Sequence, residues 1–142
     1  MPSEILHASA VALGNRAALL LGPSGSGKSG LALELMGLGA TLVADDRVEL
    51  SAEDDGPPRA RPPAALAGRI EARGIGILGA EHASGIPVAL AADLGRASAA
   101  RLPPSQTIQL LGAAVPLIWV KDAPHLAPAI LQILKGNIEA HG

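Results

Sequence analysis

One segment of this chain limits its possible folds more than any other. Residues 22–29 read GPSGSGKS, with glycine, lysine and serine at every position that the pattern G-x-x-x-x-G-K-[ST] requires. An apolar run, Ala17 to Leu21, comes before this segment, and helical spacing from Lys28 to Met36 follows it. A glycine-rich loop between a buried strand and a helix is the context in which the pattern binds phosphate. The sequence therefore predicts a P-loop.

The residue types in this loop suit a polyphosphate. Glycine allows successive backbone N–H groups to point inward, and the helix that follows directs its positive end at the same place. Lys28 would put a positive charge on the terminal phosphates, and the Ser29 hydroxyl would coordinate Mg²⁺. The alternative is a glycine-rich turn that binds nothing. The predicted nucleotide-binding residues are Gly22, Pro23, Ser24, Gly25, Ser26, Gly27, Lys28 and Ser29.

The remaining patterns predict a single α/β domain over residues 1–142, with a mixed sheet. Residues 5–13 and 17–21, joined by the turn Gly14-Asn15-Arg16, read as a hairpin that leads into the loop. Residues 51–63 contain four prolines and read as a surface loop. Further strands are expected at 41–44, 48–50, 70–78, 87–92 and 115–120, and a helix at 127–134 that stops near Gly136-Asn137. The patterns leave the strand order open.

Composition excludes several classes of function. The formal net charge is −2 and the basic residues are scattered, so neither a nucleic-acid surface nor a membrane surface is expected. The chain has no cysteine, and its four histidines, His7, His82, His125 and His141, lack the spacing of a metal site. A bound metal should therefore have oxygen ligands. No apolar run is long enough for a membrane span or a signal peptide, and a cytoplasmic protein is expected.

Two adjacent carboxylates follow the second buried strand. Asp45 and Asp46 come directly after residues 41–44. Successive side chains of an extended strand face opposite ways, so one carboxylate should serve the chemistry and the other a metal or the structure. A carboxylate beside transferred phosphate can accept the proton of an attacking hydroxyl. The competing interpretation is a solvated turn that opens the next strand.

Three segments together resemble the catalytic domain of the HPr serine kinase/phosphorylase family. They are the P-loop GPSGSGKSGLALELMGLG, the following TLVADDRVEL, and IEARGIGILGA, which is similar to the signature Glu-x-Arg-Gly-Leu-Gly-Ile. The resemblance is specific over about residues 5–80, and it is to a short form that lacks the N-terminal domain of longer members. It implies a P-loop fold similar to the core of phosphoenolpyruvate carboxykinase, frequently assembled as a hexamer.

The resemblance also implies an activity and roles for individual residues. The activity is ATP-dependent phosphorylation, with Mg²⁺, of a serine on the phosphocarrier protein HPr or a paralogue. In the reverse reaction inorganic phosphate attacks phosphoserine and yields pyrophosphate. By position, Asp45 would be the general base, Asp46 would support it, and His7 would orient it or neutralise charge. Glu71 would help Ser29 to hold Mg²⁺, and Arg73 would stabilise the signature loop or the phosphate.

The sequence departs from the family pattern at two places. The residue after the P-loop serine is Gly30, where the family usually has glutamate. Where the family has an arginine-containing loop used in the reverse reaction, this chain reads ARLPPSQTIQLLG, with Arg101 as its one basic residue. The second departure favours the forward reaction. Two alternatives stay open. One is a nucleotide-sensing module without catalysis, which is consistent with the missing arginine loop. The other is a P-loop kinase for small molecules, which should have a lid rich in arginine, whereas residues 51–63 hold only Arg59 and Arg61.

Overall fold

The computed structural model describes residues 2–136 and 138–139, and this part of the chain forms a mixed α/β fold, as predicted. The second helix reaches Gly136, and the other half of its predicted stop, Asn137, lies outside the described residues, as does His141. The elements are β1 (Ser3–Leu6), β2 (Ser9–Leu13), β3 (Arg16–Leu21), α1 (Lys28–Gly37), β4 (Thr41–Ala44), β5 (Val48–Ser51), β6 (Arg59–Arg61), a 3₁₀ turn (Ala64–Leu66), β7 (Arg69–Ala72), β8 (Gly76–Gly79), β9 (Ile86–Asp93), β10 (Thr107–Leu110), β11 (Ala113–Trp119) and α2 (Leu126–Gly136).

The main sheet is mixed, which confirms the prediction. The predicted hairpin is formed by β2 and β3, which pair antiparallel with Leu13 opposite Arg16. Strand β9 pairs parallel with both β3 and β11, whereas β4 pairs antiparallel with β2. The order is β1-β5-β6-β9-β3-β2-β4, with β11 also on β9 and β10 on β11, while β7 and β8 form a separate hairpin.

Both faces of the central strands are buried. In β3, Ala18 and Leu20 belong to one apolar cluster, and Ala17 and Leu19 belong to a second. Helices α1 and α2 contribute to the first cluster, whereas β5, β6, β10 and β11 contribute to the second. A strand that is covered on both faces reads as a continuous apolar run, which explains the sequence AALLL.

The topology brings four strand ends to one edge of the sheet. Strands β3, β9 and β11 run parallel, and β4 has the same direction because it pairs antiparallel with β2. The pairing continues past the strand ends, since Leu94 N donates to Leu21 O at 2.8 Å and Val120 N donates to Asp93 O at 2.9 Å. In open α/β sheets ligands bind at the carboxyl ends of strands. The P-loop and Asp45 both follow this edge.

The stretch predicted as one strand from Ile5 to Leu13 is wrong in its continuity. It breaks at His7 and Ala8 into β1, which pairs with β5, and β2, which pairs with β3 and β4. The Ala8 N–H donates instead to Asp46 O at 3.2 Å. The break therefore places His7 beside Asp46.

Two further predictions need correction. Residues 51–63 are not entirely loop, because β6 lies between prolines and pairs with β5 and β9, with Ala60 completely buried. Residues 70–78 are not one strand, because the Ile75 N–H donates to Ala72 O at 2.9 Å and closes a turn. Gly74, with φ of 83°, permits that turn. Arg73 therefore lies in the turn, outside the strand that contains Glu71, whereas the prediction of one strand over residues 70–78 places both in it.

No helix within residues 2–136 and 138–139 combines the length and the apolar character that a bilayer crossing needs.

Candidate functional site

The side chain of the P-loop lysine bonds to the backbone of the same loop. The Lys28 Nζ donates to Gly22 O at 2.7 Å and to Pro23 O at 3.0 Å, and the residue is 7% exposed. Gly25 and Gly27 have φ values of 84° and 99°, a region that side chains disfavour. Because the glycines let the loop curl tightly, the only charge of the segment lies against its backbone.

A buried hydroxyl in this loop has no hydrogen-bond partner. The Ser26 Oγ is shielded from solvent and bonds to no described atom, although the Ser26 N–H donates to Pro23 O at 3.1 Å. Buried polar groups are nearly always paired. A phosphate oxygen inside the loop would satisfy this hydroxyl, so the residues present fit a polyphosphate ligand.

Gly22 cannot be replaced without disturbing the loop. A Cβ atom at Gly22 would lie 2.6 Å from Ser26 Oγ, and its φ of 142° is unfavourable for other residues. We expect Gly22→Ala to lower the free energy of unfolding by about 1–3 kcal/mol, the typical cost of a strained backbone position. Gly30→Ala is the matched control, because a Cβ there meets nothing within 4 Å. It should raise stability by about 0.5–1 kcal/mol, since alanine is the better helix former. Denaturant unfolding measures both, and a Gly22→Ala protein as stable as the wild type would contradict this account of the loop.

Asp45 is buried and accepts three hydrogen bonds. Its Oδ1 accepts from Ser29 Oγ at 2.6 Å and from Ser9 Oγ at 2.7 Å. Its Oδ2 accepts from the Glu71 backbone N–H at 3.0 Å. The residue is 7% exposed. Its carboxylate is therefore fixed against the P-loop serine.

Asp46 has the opposite environment. Its side chain is 60% exposed, and its Oδ1 accepts from His7 Nε2 at 2.9 Å. The Asp46 φ of 69° turns the chain sharply after β4, in a conformation that aspartate tolerates better than most residues. Arg47 Nε is 4.0 Å from Oδ2, too far for a hydrogen bond. The two carboxylates thus face different surroundings, as the sequence analysis expected of adjacent residues.

The structure does not bring the other two predicted side chains into contact with this cluster. The side chains of Glu71 and Arg73 are exposed and bond to no residue in the described part of the chain. Glu71 takes part through its backbone N–H alone. Within residues 2–136 and 138–139 no three His, Cys, Asp or Glu side chains form a metal cluster. Magnesium usually keeps several waters and takes oxygens from one or two carboxylates and from substrate phosphates, so Ser29 and Asp45 still fit it.

A cavity of about 400 Å³ opens beside the P-loop. It lies between the loop and the chain that follows β9 and β11. Leu94, Val120 and Leu126 supply apolar walls, and Asp122 supplies a carboxylate. The full lining is Pro23, Ser24, Gly25, Ser26, Leu94, Gly95, Val120, Lys121, Asp122, Ala123 and Leu126.

Sequence reasoning missed Ser9 and the cavity residues after β9 and β11. Ser9 gave a weak signal, as a polar residue in the otherwise apolar strand SAVAL. The cavity residues gave none that pointed to a ligand, because only the parallel pairing of β3, β9 and β11 brings them to the P-loop. These residues are far from the P-loop along the chain, so the sequence alone did not indicate that they belong to the site.

Comparisons with known proteins identify the family that this chain resembles. The family model described as HPr Serine kinase C-terminal domain matches residues 1–92. The HPr kinase/phosphorylase of Limosilactobacillus reuteri strain DSM 20016 is 43% identical over 77 residues, which are 54% of this chain and 24% of that protein. The HPr kinase/phosphorylase of Peptoclostridium acidaminophilum is 40% identical over 85 residues, 60% of this chain and 28% of that protein. This chain therefore spans about a quarter of the length of these curated relatives.

A solved structure extends the similarity beyond the matched segment. The Hpr(Ser) kinase/phosphatase from Coxiella burnetii superposes with a TM-score of 0.78 at 26% identity, over 94% of this chain and 89% of that chain. At that coverage the match must include most of the chain after residue 92, where the sequence resemblance is weak. The P-loop, the carboxylate pair after β4 and the shared architecture thus lead to one conclusion: the chain belongs to the family of HPr serine kinase C-terminal domains.

Proposed function

We propose that this chain transfers the γ-phosphoryl group of ATP, with Mg²⁺, to a serine hydroxyl of an HPr-like phosphocarrier protein. The observation that carries the proposal is the pair of carboxylates at the P-loop: Asp45 contacts Ser29, and the next residue, Asp46, is exposed and bonded to His7. One carboxylate is suited to the metal side of the site and the other to an incoming hydroxyl. Family membership supports the choice of acceptor, because the relatives are named HPr kinase/phosphorylase.

The P-loop residues would hold the phosphates of ATP. Backbone N–H groups from Ser24 to Ser29 would surround them, and the unpaired Ser26 hydroxyl would donate to one oxygen. Lys28 would leave the carbonyl oxygens of Gly22 and Pro23 for the terminal phosphates, exchanging neutral acceptors for charged ones. Bound Mg²⁺ would neutralise charge on the phosphates, with the Ser29 hydroxyl and Asp45 as its neighbours on the protein.

The cavity beside the loop would take the nucleoside of ATP. It adjoins the P-loop residues directly, and its apolar walls suit the faces of a planar base. We expect Ala123→Phe, which fills part of the cavity, to weaken ATP binding roughly tenfold, because one lost contact of about 1.4 kcal/mol has that effect. Binding of inorganic tripolyphosphate should not change.

Calorimetry with both ligands tests this assignment. Ala129→Phe is the control, since Ala129 is exposed on α2 and does not line the cavity. Equal ATP affinities for Ala123→Phe and the control would contradict the assignment of the cavity to the nucleoside. They would not contradict the proposed phosphate site.

The geometry leads us to exchange the roles that the sequence analysis gave to the two aspartates. Both oxygens of Asp45 already accept hydrogen bonds, so its carboxylate is better suited to orienting Ser29 beside the metal. Asp46 has one oxygen without a hydrogen bond and is open to solvent. His7 donates to the other oxygen, because a carboxylate can only accept. Asp46 would therefore take the serine proton, with His7 as its positioning residue.

The remaining assignments rest on the family resemblance. The exposed Arg73 and Glu71 would act only if nucleotide or acceptor draws them toward the phosphates. Arg101 lies in the irregular segment between β9 and β10 and is the one basic residue of the stretch ARLPPSQTIQLLG, while Arg96, earlier in the same segment, lies over the Trp119 ring at 5.4 Å from its centroid. We therefore propose the kinase direction as the main activity.

One incubation tests the proposal against its alternatives. The chain is mixed with γ-labelled ATP, Mg²⁺ and purified HPr, and the modified residue is located by mass spectrometry. A phosphorylated serine on HPr supports the kinase. Nucleotide binding without transfer would indicate a sensing module, and transfer only to small alcohols would indicate a small-molecule kinase. Phosphoserine HPr with inorganic phosphate tests the reverse reaction in parallel.

We further propose that residues 1–142 act as one catalytic domain, located in the cytoplasm and assembled as a homo-oligomer. The two apolar clusters share β2, β3, β4 and β9, which supports one folding unit. The hexamer is an expectation from the family resemblance. Light scattering of the purified chain measures the assembly.

A further inference from the structure

Ser9 is a buried serine that contacts the same carboxylate as the P-loop serine, Ser29. Ser9 is fully buried in β2, and its hydroxyl donates to Asp45 Oδ1 at 2.7 Å. Its neighbours in this part of the chain, Ala8, Ala10 and Ala12, are equally buried or nearly so. Alanine therefore fills this layer of the core without difficulty. Packing therefore does not explain the hydroxyl of Ser9, whereas its hydrogen bond to Asp45 does.

The hydroxyl of Ser9 shares one oxygen atom with the hydroxyl of Ser29. Both donate to Asp45 Oδ1, at 2.7 and 2.6 Å, while Oδ2 accepts from the Glu71 N–H at 3.0 Å. A carboxylate oxygen has about two lone-pair sites, so Oδ1 is fully occupied. Three donors on three different elements, β2, α1 and β7, thus fix the carboxylate in one orientation.

We propose that Ser9 is a positioning residue for the magnesium side of the site, acting through Asp45 on Ser29. A hydroxyl has one proton and two lone pairs. Because the Ser29 hydroxyl donates its proton's hydrogen bond to Asp45, the lone pairs of Ser29 remain available to a cation. Ser9 keeps Asp45 in the rotamer that does this. The inference rests on the proposed function, because it assumes that Mg²⁺ accompanies a nucleotide at the P-loop.

The test measures how nucleotide binding depends on magnesium. Binding of a nonhydrolysable ATP analogue is followed by calorimetry over a series of Mg²⁺ concentrations. For Ser9→Ala we expect the Mg²⁺ concentration at half-maximal binding to rise roughly 10- to 100-fold, the usual effect of removing an outer partner of a metal site. Ser51→Ala is the matched control, because the Ser51 hydroxyl accepts from Arg61 at 2.7 Å and takes no part in the Asp45 cluster.

A double-mutant cycle shows whether Ser9 acts through Asp45. In an Asp45→Asn background, Ser9→Ala should cause little further change in magnesium dependence, since the residue that transmits its effect has changed. Thermal unfolding of all variants separates a loss of stability from a loss of positioning. Additive effects in the cycle would overturn the inference, as would a Ser9→Ala protein that is destabilised but keeps the wild-type magnesium dependence. Failure of the wild type to bind the analogue at all would instead overturn the proposed function, and this inference with it.

Discussion

Replacing Asp46 with asparagine is expected to slow phosphoryl transfer to the acceptor serine by about 10²- to 10⁴-fold, the contribution of a well-placed general base. Asparagine keeps the size of the side chain and tolerates the left-handed backbone of Asp46, with φ of 69°. It can still meet His7 through its amide oxygen. ATP binding should remain near the wild-type level, because the bonds around Lys28 and Ser29 are unchanged. Single-turnover kinetics with HPr as the acceptor, beside a separate binding measurement, give both quantities.

The neighbouring residue supplies the contrast for this prediction. Asp45→Asn should impair magnesium-dependent nucleotide binding, because Asp45 holds Ser29 through a bond of 2.6 Å. Asp54→Asn is the control for the loss of a negative charge, since Asp54 is exposed in the segment between β5 and β6. If Asp45→Asn binds normally but fails in transfer, while Asp46→Asn transfers at the wild-type rate, the base is Asp45 and our exchange of roles is wrong.

Replacing Lys28 with alanine is expected to weaken ATP binding by about 10- to 150-fold, because a hydrogen bond to a charged group contributes roughly 1.5–3 kcal/mol. The loss should be larger for ATP than for AMP, since the ammonium group is assigned to the terminal phosphates. The variant also removes the Lys28 hydrogen bonds to Gly22 O and Pro23 O, although Pro23 O still accepts from the Ser26 N–H. Calorimetry with the two nucleotides measures the difference.

A second lysine controls for the change in net charge. Lys135 lies in the last turn of α2 and is exposed, so Lys135→Ala removes the same charge from a surface away from the loop. It should bind ATP as the wild type does. Equal ATP affinities for the Lys28→Ala and Lys135→Ala proteins would contradict the assignment of Lys28 to the phosphates. Circular dichroism of both variants shows whether the fold is retained.

The parts of this fold that the sequence predicts well are those with local physical causes. The P-loop follows from glycine spacing, the hairpin before it from the turn at Gly14-Asn15, and α1 from the spacing of its apolar residues. The predicted bounds of α1, Lys28 to Met36, differ from the observed helix by the single residue Gly37. Such features depend on neighbours along the chain, and any fold that contains the segment must satisfy them.

The parts that the sequence does not predict depend on contacts between distant segments. Ala60 lies in a proline-rich stretch that reads as loop, and only pairing with β5 and β9 makes it a strand. The break at His7 likewise follows from β1 and β2 joining different neighbours. The surroundings of Asp45 are decided by Ser9, Ser29 and Glu71, which are 36, 16 and 26 residues away along the chain. The sequence shows that residue 45 is an aspartate, but it does not predict which groups surround the carboxylate.

The most direct test of this account is a crystal structure of the chain with a nonhydrolysable ATP analogue and Mg²⁺. We expect the β- and γ-phosphates within hydrogen-bond distance of the backbone N–H groups of residues 24–29, with Lys28 Nζ moved from Gly22 O to a phosphate oxygen. The Ser29 hydroxyl should contact the metal while it still donates to Asp45. An analogue bound away from the loop, or Lys28 still bonded to Gly22 and Pro23 beside an ordered triphosphate, would contradict the account.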